Sequence, residues 1–410
     1  VVLVTNNFPP VRGGSAVVYA NLARCAGGRI VVVAPRIGYA DGLPFIGWRE
    51  HDRHAPYRVI RLPLLRTRLL EQVPRGLARL TFLLGDAVIR LRLAAVLMWL
   101  AAAHGVRTVC IGELSASGWL LPLLRLTRPI LHLRVVIYVH GEEITTADAY
   151  DPSHAIARRS LLASDAVVVV SRFTEAAVRG LVGRAGADRV CLIENGVDGT
   201  RFHPARKSPE LLALYGLEGS FVFISVCRLL EKKGIDNTIR ALARLPAASA
   251  GCRYLIVGGG PYRARLEALA AELGVQERVV FAGQVADDEL VDHYRLGDVF
   301  VMPNRALPNG DTEGFGLVFL EANACGLPAI AGRDGGSPHA VQDGVNGLLV
   351  DGASVDAIAA AMTRLLEDGA LRDRLRELGL EVAAKAGWGM KTQRFLNLCD
   401  QTSGKEGLLF

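Results

Sequence analysis

Short runs of β-branched and other apolar residues alternate along the chain with longer stretches whose apolar positions recur at helical spacing. One series of runs covers residues 1–5, 30–34, 57–62, 106–111, 133–139, 166–170 and 190–193. A second covers 221–226, 254–257, 279–281, 299–302, 329–331 and 348–350. Nearly all are apolar at consecutive positions, the pattern of parallel strands covered on both faces. Strand–helix alternation repeated in this way predicts doubly wound α/β structure, twice over. Gly199, His203-Pro204, Lys207 and Ser208-Pro209 interrupt the pattern between Asn195 and Leu217. Two Rossmann-like domains are therefore expected, 1–203 and 204–387, with a ligand cleft between the carboxyl ends of their sheets. After Gly387 a further helix is expected, in a segment 388–410 that crosses back onto the first domain.

Composition narrows the class. With 410 residues, 50% apolar and 21% charged, the chain can bury two cores and is unlike a disordered protein. The longest apolar stretch, Leu93 to Ala103, is too short to span a bilayer. Seven cysteines without a Cys-x-x-Cys pair read as reduced thiols, neither a disulfide frame nor a zinc site. With no basic-then-apolar leader, the expected location is cytoplasmic.

Charge is uneven. Residues 1–203 carry 25 Lys and Arg against 15 Asp and Glu, whereas 204–410 carry 22 against 26. Such asymmetry draws one half toward anionic lipid headgroups or a phosphorylated acceptor. Pro74 suits a helix start, and Arg75, Arg79 and Arg90 fall on one side of that helix, with Leu77, Leu80 and Leu84 on the other. Peripheral contact with the inner face of a membrane is the corresponding expectation. A plain solvated surface is its alternative, since only six of the 47 cations are Lys.

Two stretches of the second half carry chemistry. Arg228 and Lys233-Gly234 lie just beyond a buried strand, where a guanidinium and an ammonium suit a diphosphate. Glu313-Gly314-Phe315-Gly316-Leu317, followed by Glu321, reads as a glycine loop opening a helix. The glycines permit close backbone approach, and a helix start offers N–H groups to an anion. Carboxylates beside phosphates suit hydrogen bonds from sugar and ribose hydroxyls.

These stretches resemble the Glu-x7-Glu signature of the retaining glycosyltransferases of family 4, which have the two-domain GT-B fold. Six further elements follow the order of that family: Asn6 to Gly14, His140-Gly141-Glu142, Asn195 to Asp198, Val257 to Pro261, Phe281 to Val285 and Gly335 to Pro338. The opening loop is most similar to that of phosphatidylinositol mannosyltransferases. The resemblance implies that Arg228 and Lys233 hold the leaving diphosphate, with Gly13, Gly14 and the N–H groups of Gly316 and Leu317. It also implies that Glu321 binds ribose, that Glu313 binds the donor sugar with Gly314 and Phe315 beside it, and that His140 touches the sugar's 6-position. The backbone of Val285 would meet the base. Cys227 and His339 depart from the family's usual Gly and Glu, which bears on donor affinity.

The implied reaction is transfer of a hexose from a nucleotide diphosphate sugar to an acceptor hydroxyl with retention. It needs no cofactor and no metal, because cations meet the leaving charge. The donor phosphate would serve as base. The alternatives are a sugar-nucleotide epimerase or phosphorylase on the same fold, and a non-catalytic binding protein. The expected partners are a nucleotide sugar and a lipid or phosphorylated acceptor, with no nucleic acid.

Overall fold

The computed structural model describes residues 1–67, 76–114, 118–146, 151, 153–246, 249 and 251–401. Thirteen strands among them fall at the thirteen apolar runs. The first seven are β1 (Val2–Val4), β2 (Val31–Pro35), β3 (Arg58–Leu62), β4 (Thr108–Ile111), β5 (Arg134–Val139), β6 (Ala166–Val169) and β7 (Val190–Leu192). They form one sheet in the order β3-β2-β1-β4-β5-β6-β7. The other six are β8 (Val222–Val226), β9 (Arg253–Val257), β10 (Val279–Gly283), β11 (Val299–Met302), β12 (Ala329–Gly332) and β13 (Gly347–Val350), ordered β10-β9-β8-β11-β12-β13.

Each pairing is parallel; Val2 sits opposite Val31 and Val109, and Val222 opposite Arg253. Helices cover both faces, so central strands such as β4 and β8 are buried at every position. That double burial is why their apolar runs do not alternate.

One apolar cluster runs from Leu3 and Tyr19 in the first half, through Trp388 and Phe395, to Phe300 and Phe319 in the second. The helix Trp388–Asp400 joins it to the first sheet. Thr108 Oγ1 donates to the Cys399 carbonyl at 2.8 Å, Arg134 to the Gln401 carbonyl at 2.8 Å, and Arg29 pairs with Asp400. Val197 N donates to Ala386 O at 2.9 Å, beside Gly196, where a Cβ would lie 2.6 Å from that oxygen.

The helix Leu77–His104 packs inward only along its later turns. Leu93, Leu97 and Leu100 are buried, but Leu77, Leu80 and Leu84 are exposed, together with Leu83 and Leu91. Its leading turns thus present leucines as well as Arg79 to the outside. Pro74 and Arg75 lie outside the described residues. Among the described residues no helix is long and apolar enough to cross a membrane.

Candidate active site

The first wall of the site grows from the carboxyl ends of β1, β4 and β5. After β1, Thr5 Oγ1 and the N–H groups of Asn6 and Asn7 donate to the Glu113 carboxylate, at 2.6, 2.6 and 3.3 Å. Burial raises the Glu113 pKa, and these donors oppose that rise. The loop then leads through Gly13 into the helix Gly14–Cys25. A Cβ at Gly14 would lie 3.8 Å from Leu317 Cδ1, so the opening glycine loop faces the glycine loop of the second half.

His140 follows β5. Its ring stacks on Tyr138 and meets Tyr19 edge-on, with both centroids 5.2 Å away, and its Nε2 lies 2.8 Å from Tyr19 Oη. Burial lowers its pKa to about 4, so the ring is neutral at physiological pH. Glu143 accepts from the N–H groups of His140 and Gly141, at 3.3 and 3.0 Å. Burial outweighs those bonds and raises Glu143 to about 7.

The second wall grows from the ends of β8 and β11. Arg228 is exposed and makes no side-chain hydrogen bond or ion pair among the described residues. Lys233 Nζ lies 2.5 Å from Glu313 Oε2, each side chain 15% exposed. Burial disfavours both charges, but mutual attraction prevails: Glu313 is lowered and Lys233 raised from their ordinary pKa values. Gly316 caps the helix Leu317–Ala324 at φ 89°, a left-handed conformation that favours glycine. Phe315 is buried, its ring centroid 6.0 Å from that of His339. Glu321 is buried and accepts from Tyr294 Oη at 2.7 Å; burial raises its pKa.

Gly314 joins the two walls. A Cβ there would come within 1.9 Å of the His140 carbonyl oxygen, and its own carbonyl accepts from Ser171 Oγ at 2.7 Å. At the other end of the seam, Arg12 Nη1 donates to the Val285 carbonyl at 2.9 Å. His140, Lys233, Glu313 and Gly314 to Leu317 thus gather at one place, with Gly14 opposite. Gly13 has no neighbour within 4 Å of a Cβ position, and Val285 marks a separate point on the seam.

The two departures acquire structural reasons. Burial raises the Cys227 thiol to about 12, so it stays neutral beside Arg228. Its carbonyl packs against Gly258, where a Cβ would come within 1.9 Å. His339 Nε2 lies 2.7 Å from Glu194 Oε1, and its Nδ1 accepts from Arg172 N at 3.3 Å. Glu194 also pairs with Lys391 at 2.5 Å. Burial opposes its charge, but bonds from His339 and Lys391 prevail and hold Glu194 near 2. Here the carboxylate of the seam comes from the end of β7, and the imidazole from the second half. Sequence reasoning missed Tyr19, Glu113 and Glu143; only Glu143, adjoining His-Gly-Glu, carried a local signal.

Comparison with known proteins defines the class. Residues 214–381 match the family of glycosyl transferases group 1. The fold is similar to that of sucrose-phosphate synthase from Thermosynechococcus elongatus (TM-score 0.74, 24% identity, 97% of each chain). It is also similar to WaaG, a glycosyltransferase of lipopolysaccharide biosynthesis (TM-score 0.66, 17% identity, 98% and 99% of the two chains). Both likenesses concern the two-domain GT-B architecture. The chain is 35% identical over 385 residues to the GDP-mannose-dependent α-(1-6)-phosphatidylinositol monomannoside mannosyltransferase of Mycobacterium tuberculosis, covering 92% of this chain and 91% of that one. It is 33% identical over 278 residues to the D-inositol 3-phosphate glycosyltransferase of Acidothermus cellulolyticus, covering 65% and 59%. The chain belongs to the group 1, or family 4, glycosyltransferases, and is an enzyme that uses a nucleotide sugar.

Proposed function

We propose that this enzyme transfers mannose from GDP-mannose to a hydroxyl of an inositol-bearing phospholipid, with retention and without a divalent metal. One observation carries the reading: Lys233 is held beside Glu313 at the mouth of the helix Leu317–Ala324, facing the opening glycine loop. As the glycosidic bond breaks, charge grows on the leaving diphosphate. Lys233 and the N–H groups of the helix start meet it already oriented, with the exposed Arg228 adding its charge, so they bind the transition state better than the ground state. Glu313 both keeps Lys233 charged and offers acceptor oxygens to sugar hydroxyls. The acceptor hydroxyl enters on the face the diphosphate leaves, and a donor phosphate oxygen takes its proton.

Glu321 serves the ribose, Gly13, Phe315 and Gly316 shape the donor loop walls, and Val285 lies at the base. The names of the relatives support donor and acceptor. The basic first half and the exposed leucines of Leu77–His104 support peripheral attachment to an anionic membrane.

The test presents GDP-mannose and UDP-glucose, each with vesicles of phosphatidylinositol or of neutral lipid. Transfer from GDP-mannose to the phosphatidylinositol vesicles is expected, with pelleting that weakens at high salt. EDTA is expected to change the rate by less than about twofold, under roughly 0.5 kcal/mol of barrier. Loss of activity with EDTA and recovery with manganese would overturn the metal-free mechanism, and transfer only from UDP-glucose the donor.

A further inference from the structure

Tyr19 belongs to none of the motifs above, yet it is fully buried between the opening glycine loop and His140. Its hydroxyl lies 2.5 Å from the Gly112 carbonyl, which can only accept, so the one phenolic proton is committed there. The bond of 2.8 Å to His140 must then run the other way, from Nε2–H to the Tyr19 oxygen. A neutral imidazole with its proton on Nε2 has a bare Nδ1, and no hydrogen bond engages that atom among the described residues. The ring is half-buried, beside the loop in which the Gly314 Cβ position meets the His140 carbonyl.

The arrangement is built for this phenol. A Cβ at Gly112 would lie 2.9 Å from both Tyr19 Oη and Cζ, so the carbonyl approaches this closely only from glycine. Burial, then the charge of Glu113, push the Tyr19 pKa well up, so the phenol keeps a proton to give. Of the other groups around the ring, Tyr138 stacks on it, Cys110 lies near Tyr19, and Glu143 engages the backbone N–H, leaving Nδ1 alone.

We propose that Tyr19 is a positioning residue that fixes His140 as the Nε2–H tautomer, making Nδ1 a permanent acceptor for a hydroxyl of the donor sugar. The assignment of that hydroxyl to the sugar rests on the glycosyltransferase reading; the tautomer does not. A cationic or Nδ1–H imidazole would present a donor instead, which a carbonyl or carboxylate oxygen could also meet. A bare Nδ1 accepts only from a group that carries a proton, so the relay favours a hydroxyl over an acceptor-only group at this point.

Nitrogen-15 NMR of histidine-labelled protein tests the tautomer, with the His140 signal identified by its loss in His140→Gln. The wild-type ring is expected to be neutral and protonated on Nε2 from pH 8 down to about 5.5. Tyr19→Phe is expected to give mixed tautomers and, with about half the rings competent, to raise the KM for GDP-mannose about twofold, with kcat changed less. For GDP-6-deoxymannose the same substitution is expected to leave KM unchanged. Gly112→Ala, which displaces the phenol, is expected to reproduce the tautomer change and serves if Tyr19→Phe fails to fold. A wild-type Nδ1–H ring, or a tautomer unmoved by either substitution, would overturn the relay. An equal KM rise with both donors would overturn the acceptor role. Absence of any sugar transfer would instead count against the glycosyltransferase reading and leave the NMR result standing.

Discussion

The two walls of the active site solve opposite problems. The second wall is charged: Lys233 and Glu313 oppose each other at 2.5 Å, and Arg228 is exposed, with no side-chain partner among the described residues. The first wall centres on a neutral His140 and a protonated Tyr19, beside two glutamates whose burial raises their pKa. In the proposed reaction one wall meets developing charge and the other orients hydroxyls. A binding relic would have little reason to keep both.

The largest expected effect separates the two cations of the charged wall. Lys233→Ala should lower kcat on the order of 10²–10³-fold. It should also destabilise the fold by about 3–5 kcal/mol, because Glu313 is left buried and unpaired. Arg228→Ala should lower kcat on a similar scale with stability within about 0.5 kcal/mol, since its side chain is exposed and unpartnered. Kinetics and urea denaturation of both variants check this; equal stability loss in the two would erase the distinction.

Next in size is a break between the walls. Gly314→Ala sets a Cβ where only 1.9 Å separates it from the His140 carbonyl oxygen. The halves must separate there, and kcat should fall on the order of 10²-fold through misplacement of the donor sugar. Small-angle scattering should show a more open particle. An unchanged profile with full activity would mean that the walls do not meet in the working enzyme.

The smallest effect belongs to the uncharged wall. Glu143 has a raised pKa of about 7, so its contribution to stability is complete below the ordinary value near 4.5 and is lost as pH rises through 7. Wild type should therefore lose on the order of 2–3 kcal/mol between pH 5 and 8 relative to Glu143→Gln. Urea midpoints of the two proteins across that range check it; parallel curves would refute the assignment.

The charged wall was legible in the sequence because its parts are local. Arg228 to Lys233 and Glu313 to Glu321 each fit within one strand–loop–helix unit, and parallel topology brings such units to one sheet edge. Strand positions were legible for the same reason, since double burial makes each strand an unbroken apolar run. Tyr19 lies 121 residues from His140 and looks like any core aromatic on its helix. Glu113 follows Gly112 in a short strand-end turn, but nothing local shows that it gathers Thr5, Asn6 and Asn7, which lie 106–108 residues earlier. His339 was visible as a departure, but its partner Glu194 could not be named, because the bond spans 145 residues and joins the two halves. The exposure of the leading leucines of Leu77–His104 was not legible, because spacing tells which residues share a helix face, not whether that face is covered.

The helix Trp388–Asp400 has a consequence for how the protein is made. It covers the sheet whose first strand is β1, and the bond from Thr108 to the Cys399 carbonyl spans 291 residues. At about 5–20 residues per second, roughly 15–60 s of synthesis separate those two partners. Throughout that interval the nascent first half exposes the surface on which Trp388 and Phe395 will pack. The order in which the ribosome delivers the chain is therefore the reverse of what this half needs, and its completion waits on a residue delivered 291 positions after Thr108.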